Sequence, residues 1–200
     1  YLASGRYEQA ESVFTSLTAR RPQDAEVYAG LANAQAGLGR REDAERSYRK
    51  SVEVEPAYWG AYADLGSFMF RSGRAGEAVT AFRKAAELAP GIASTHSNLG
   101  GALMLAMRLD EAAAAFERSL AIEPSRSAHA NLGITLANLK RFADAELHLI
   151  KATSRERTSP QAMQALIGTK LILQRPDVEE VISRYFEKWP DDHAFRRQLN

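Results

Sequence analysis

Four histidines, one Ser–Lys pair and several groups of carboxylates are the residues of this 200-residue chain whose types could do chemistry. Ser47 to Lys50 has the S-x-x-K spacing of a hydroxyl nucleophile beside an amine. It lacks companion motifs and falls on an expected exposed helix, so it reads as coincidence. His96 and His129 stand at corresponding positions, where earlier segments carry Tyr28 and Tyr62. They read as packing rings in place of an aromatic, with a ligand or pH-switch role as the alternative. His148 and His193 have no partner pattern. The carboxylates gather at Glu42/Asp43, Asp110/Glu111, Asp144, and again at Asp177, Glu179 and Glu180. Each group opens an expected helix, where negative charge is favoured by the positive helix end. No acid–base role is needed to explain them. A Gly-rich phosphate loop, H-E-x-x-H and G-x-S-x-G are all missing. The chain is therefore expected to be no enzyme, with no cofactor and no metal.

The elements that must position these groups are visible as a repeat. Pro22, Pro56, Pro90 and Pro124 are 34 residues apart, as are Ala10, Ala44, Ala78 and Ala112, and Phe14, Tyr48, Phe82 and Phe116. Arg6, Arg40, Arg74 and Arg108 keep the same step, and so do Gly5, Gly39 and Gly73. Such a period marks units that cannot bury an apolar face alone and must stack. Within residues 59–92, Tyr62, Leu65, Gly66 and Met69 mark one face of a helix. Gly73 closes it with a left-handed residue. A second helix carries Ala78, Phe82 and Ala85 and stops before Pro90. Gly66 and Ala78 let the two backbones approach, and Phe82 fills the space beside them. On this reading Ala78→Leu costs roughly 1–3 kcal/mol by overpacking, and Phe82→Ala roughly 3–5 kcal/mol by leaving a cavity.

Tyr62, Leu65, Gly66, Gly73, Ala78, Phe82, Ala85 and Pro90 together resemble the tetratricopeptide repeat signature. Residues 25–58 match with Tyr28, Leu31, Ala32, Gly39, Ala44, Tyr48, Ser51 and Pro56. Residues 93–126 match with Leu99, Gly100, Ala112, Phe116, Ser119 and Pro124, with His96 for the aromatic and Met107 for the turn glycine. Residues 1–24 hold only a second helix. In residues 127–159 the pattern slips by one, with Leu132, Gly133, Ala145, Leu149 and Ala152. Residues 160–200 read as a degenerate hairpin and C-terminal cap. Helices are expected near 160–174 and 177–188, with Asp191 or Asp192 capping a further one. The expected Pro position at Arg157 is empty of Pro. The resemblance implies an all-α, right-handed solenoid of antiparallel hairpins, of a kind common in bacterial proteins.

In that family the first helix of each hairpin lines a concave groove where partners lie. Carried onto this sequence, the groove residues are Asn33, Asp64, Ser67, Phe70, Arg71, Asn98, Met104, Asn131 and Asn138. Asn98 and Asn131 offer both donors and an acceptor, so they could pair with a peptide backbone without reading its side chains. The arrangement is similar to the asparagine ladder in the repeat arms of O-linked N-acetylglucosamine transferases, with Asp64 and Gly30 replacing two rungs. The alternative is that both Asn side chains bond between neighbouring repeats or face water. Phe70, Met104 and Leu105 add an apolar patch, or serve packing between first helices. Family arrays that clamp the C-terminal carboxylate of heat-shock chaperones need a cation cluster. Ala29, Asn33, Ser94 and Asn98 stand at those positions here, so that use is not expected. The Arg series at 6, 40, 74, 108 and 141 reads as a solvated face beside acidic neighbours.

With 26 basic and 25 acidic residues the net charge is +1, which offers no one-signed field to attract nucleic acid or an anionic membrane. No apolar run has the length of a membrane span. There is no cysteine, which fits a reducing compartment, and a cytoplasmic location is expected. Tyr1 reads as the tail of a helix, as in a piece of a longer protein. The expected function is a protein-interaction scaffold that holds a protein or peptide partner in the groove. One alternative is the repeat arm of a multidomain enzyme or regulator, such as a glycosyltransferase, kinase, cyclase or transcription regulator. Another is self-association through the terminal hairpins to give a homo-oligomer.

Overall fold

The computed structural model describes residues 6–154 and 158–199. Tyr1, Gly5 and Arg157, discussed above, lie outside the described residues. Among the described residues there are twelve helices and no strand. They fall into two compact units, Tyr1–Ala106 and Met107–Asn200. The first holds α1 (Tyr7–Arg20), α2 (Ala25–Gly37), α3 (Arg41–Val54), α4 (Trp59–Arg71), α5 (Ala75–Leu88) and α6 (Ala93–Leu105). The second holds α7 (Leu109–Ile122), α8 (Arg126–Asn138), α9 (Phe142–Thr153), α10 (Pro160–Ile172), α11 (Val178–Lys188) and α12 (His193–Leu199).

Each helix end has a local cause. Helices α1, α3, α5 and α7 stop two residues before Pro22, Pro56, Pro90 and Pro124. The residue between, Arg21, Glu55, Ala89 or Glu123, has φ between −133° and −146° and positive ψ, outside the helical region that a following proline disfavours. Gly39 and Gly73 close α2 and α4 with φ of 77° and 72°. Met107, Lys140 and Gln174 take the same left-handed turn without being glycine, at a cost of about 1–2 kcal/mol each. The one-residue slip in the sequence is a shorter connector: α7 and α8 are joined by residues 123–125, whereas α5 and α6 are joined by 89–92. Ser125 caps α8 through the Ala128 amide.

In the first unit α2 packs on α3, α4 on α5, and the first helices α2, α4 and α6 touch in succession. In the second, α8 packs on α9, α9 on α10 and α10 on α11. Ala44, Ala78, Ala112 and Ala145 are fully buried, and Tyr48, Phe82, Phe116 and Leu149 fill the space beside them. A Cβ built on Gly66 would lie 2.8 Å from the Phe82 ring, and one on Gly133 would lie 2.6 Å from Leu149. Close helix approach is why these positions are glycine. Ser51, buried where Ala85 stands one unit later, satisfies its hydroxyl on the Ala25 carbonyl at 2.7 Å.

The repeated arginines do more than face solvent. Besides the i,i+3 acids of Arg74, Arg108 and Arg141, two of them, and Arg175 further along the chain, reach back 29 residues to a glutamate on an earlier second helix. Arg40 meets Glu11 at 2.8 Å, Arg74 meets Glu45 at 2.5 Å, and Arg175 meets Glu146 at 2.8 Å. Arg49 joins Glu45 and Glu77 into the same network. The expected solvated face beside acidic neighbours thus also carries inter-repeat links, at Arg40 and Arg74. Ala113 stands where these glutamates stand, in the segment that precedes Arg141.

The C-terminal part is tied by polar groups that the repeat pattern does not contain. Lys170, 5% exposed, is held by Glu146 and Asp177, and Glu146 also binds Arg175. Tyr185 packs against Phe186, Trp189 and Phe195, and its hydroxyl joins Asp192 and Gln164. Asp192 also caps α12 through the Phe195 amide at 2.9 Å.

Candidate partner-binding face

In the first unit α2, α4 and α6 carry the residues expected from the sequence to line a groove. On α4, Asp64, Ser67 and Arg71 recur at i, i+3 and i+7, which places them on one face, with Phe70 beside them. Phe70 is 40% exposed and Leu105, at the end of α6, is 45% exposed. Met104 is half-buried and Asn98 is exposed. Ser67 turns back to the Ala63 carbonyl at 2.8 Å.

Tyr48 lies beneath this face and organises it. Its hydroxyl donates to Asn33 Oδ1 at 2.7 Å, and Asn33 Nδ2 donates to the Ala29 carbonyl at 3.0 Å. The Asn33 amide is therefore engaged within its own hairpin at both ends. Burial pushes the Tyr48 phenol up, with Arg71 opposing and Asp64 adding to the shift, so the hydroxyl stays neutral and a donor. Asp64 is half-buried; burial pushes its carboxyl up and the Arg71 charge opposes. Among the described residues its carboxylate accepts no hydrogen bond. A half-buried carboxylate without a protein hydrogen bond can accept one from a ligand. The face thus offers an acceptor at Asp64, a cation at Arg71, an amide at Asn98 and apolar surface at Phe70 and Leu105.

In the second unit Asn138 is exposed and Asn131 is half-buried. Asn131 lines a recess of about 480 Å³ with Arg126, Ser127, Ala130, Ala152, Thr158, Ser159 and Ala162. Its backbone carbonyl accepts the Thr135 hydroxyl at 2.7 Å.

The histidines divide. His96 Nε2 lies 3.0 Å from the Pro90 carbonyl, as the Tyr28 hydroxyl lies 3.3 Å from that of Pro22. His96 is thus a packing ring that keeps the hydrogen bond of the aromatic it replaces. His129 instead meets His148, a contact with no signal in the repeat pattern. The role of Tyr48 was missed as well. The signal for it was present, because Tyr48 alone in the Phe14, Tyr48, Phe82, Phe116 series carries a hydroxyl.

Two family profiles described as tetratricopeptide repeat match the chain, one over residues 1–65 and the other over residues 70–127 and 98–162. No curated protein matches it in sequence. Among solved structures the chain is similar to YrrB, described as a TPR protein with an unusual peptide-binding site. The TM-score is 0.79 at 21% identity, over 95% of this chain and 98% of that one. It is also similar to pilF of Pseudomonas aeruginosa, with a TM-score of 0.84 at 18% identity over 100% and 91%. A third is MamA from Desulfovibrio magneticus RS-1, with 0.68 at 20% over 76% and 87%. At these identities the likeness is one of fold. The profile matches and the recurring Ala–aromatic–Pro spacing, borne by an all-α solenoid of helical hairpins, agree: the chain belongs to the tetratricopeptide repeat family.

Proposed function

We propose that the protein is a non-catalytic scaffold that holds an extended or helical segment of a partner protein on the exposed face of its first helices. Tetratricopeptide repeats serve generally as protein-interaction modules, and the fold relative YrrB is described as having a peptide-binding site. The observation that carries the reading is the face of the first unit. Exposed Phe70 and Leu105 lie on the same set of helices as Asn98 and Asp64, whose polar atoms remain available to a ligand. Apolar anchors beside a few convergent polar groups are the composition of a recognition surface. Backbone-directed contacts from Asn98, and separately from Asn131 in the second unit, fit a ligand read mainly by its main chain.

Peptides selected from a displayed random library on the whole chain supply the test. Phe70→Asp and Asn98→Ala should each weaken the selected peptides about tenfold, while Lys84→Ala on the exposed side of α5 should leave them unchanged. Equal losses in all three variants, or failure to select any peptide, would refute the reading.

A further inference from the structure

His129 on α8 and His148 on α9 meet inside the second unit with their Nδ1 atoms 2.9 Å apart. Their ring centroids are 5.1 Å apart. The difference, about 2.2 Å, is close to two imidazole radii, so the two nitrogens point almost directly at one another. That geometry suits one shared proton. A metal held by both rings would need the two lone pairs turned toward a third point about 2.0–2.1 Å from each nitrogen, which the near-linear arrangement does not offer. In the first unit the corresponding pair is Tyr62 and Ala81, which line a recess of about 480 Å³ with Leu65 and Met69. His148 is the large side chain standing where Ala81 stands in that recess.

We infer that the His129–His148 pair is an acid-sensitive latch on the α8–α9 hairpin. With one proton between the Nδ1 atoms, one ring donates to the other and the two helices are tied. A first further proton enters the free Nε2 of the donor ring and leaves the hydrogen bond in place. The second must go onto the acceptor's Nδ1, which sets two N–H groups face to face, breaks the hydrogen bond and adds repulsion between two imidazolium charges. The hairpin then opens.

The surroundings favour the neutral pair. Burial holds His129 below the usual histidine range, and the His148 and Lys151 charges add to the effect. Burial does the same to His148, with Lys151 adding, while Glu117 from α7 and Asp144 from α9 oppose. Helix α10 also packs on α8 and α9. Its Lys170 is occupied by Glu146 and Asp177 and is not among the charges acting on either ring. Because the folded pair resists protonation, the open hairpin binds more protons below the unfolded histidine value of about 6.5. The stability that the pair contributes is complete above that pH and is lost as pH falls below it.

Hydrogen exchange of the α8 and α9 amides in the whole chain, corrected for intrinsic rates, tests this between about pH 7.5 and about pH 5. The opening constant should rise up to about tenfold per pH unit for each proton taken up on opening. Imidazole nitrogen NMR should show His129 and His148 titrating as a coupled pair. His148→Gln should flatten the pH dependence of opening, whereas His96→Gln should leave it as in the parent chain. If His148→Gln folds poorly, His129→Tyr, which restores the ring of Tyr28 and Tyr62, serves in its place and should flatten it too. Undiminished acid dependence in the folded variant, or independent titration of the two rings, overturns the inference.

Discussion

Replacing Tyr48 and Asn33 singly and together separates a built hydrogen bond from ordinary packing, because the next repeat supplies the control. Tyr48 is 1% exposed and its hydroxyl donates to Asn33 Oδ1 at 2.7 Å. Tyr48→Phe removes that bond but leaves a half-buried acceptor that water can reach, so the cost should be about 0.5–1.5 kcal/mol. Asn33→Ser takes the acceptor from the buried phenol O–H, which should cost about 1–3 kcal/mol. With both changes the hairpin reproduces the arrangement one unit later, where Ser67 bonds to its own helix and a phenylalanine, Phe82, fills the core. A serine at 33 has the same carbonyl to use, since Asn33 Nδ2 already reaches Ala29. The double variant should therefore be more stable than the sum of the single losses by about 1 kcal/mol, because removing both partners leaves nothing unsatisfied. Urea denaturation of the four proteins gives the coupling energy directly. A coupling below about 0.3–0.5 kcal/mol, the limit for independent sites, would refute the claim that the pair acts as a unit.

Two further tests address the packing of the repeats. Gly133→Ala should destabilise by about 1–3 kcal/mol because its Cβ meets Leu149. Gly101→Ala, with nothing within 4 Å of the added atom, should stabilise by about 0.5–1 kcal/mol; thermal melts distinguish the two. Glu146→Gln, which takes a partner from buried Lys170, should cost roughly 2 kcal/mol, less than for a fully enclosed pair because Asp177 remains. The Glu146 carboxyl is pushed up by burial but held on balance below its usual range by Arg175 and Lys170. Its contribution is present above the unfolded glutamate value of about 4.3 and is lost as pH falls through the folded value. The variant should therefore lose less stability than the parent in acid denaturation below that pH.

The hairpins were legible in the chain because their causes are local. Pro56 and Pro90 stop helices through the residue before them, Gly39 and Gly73 turn them, and Gly66 and Ala78 announce a close approach that only small residues allow. The links between repeats were not legible. Whether Arg74 reaches Glu45, or only Glu77 on its own helix, depends on the angle at which successive second helices pack. Adjacency along the chain does not carry that angle. The contact of His129 with His148 is hidden for the same reason: two rings on different helices meet only once their rotamers and the helix offset are fixed. At the candidate face, Asp64, Ser67 and Arg71 were placed by helical period. The engagement of Asn33 with Tyr48 required the depth of the phenol, which periodicity does not give. Lys170 lay where the repeat had decayed, so no template marked it as buried beside Glu146.

The arginine-to-glutamate links also bear on how such a chain could lengthen. The segment 25–58 contains both Arg40 and Glu45, the two halves of a link formed with different neighbours. Copied head to tail, it would bring its own connectors, each copy's arginine meeting the preceding copy's glutamate. The segment 93–126 contains Arg108 but has Ala113 at the acidic position, so its copies would arrive without the complementary half. Duplication of the first segment extends the array with ready-made joints, and duplication of the second does not. Gene growth by tandem copying would thus find some segments of this protein better suited to it than others.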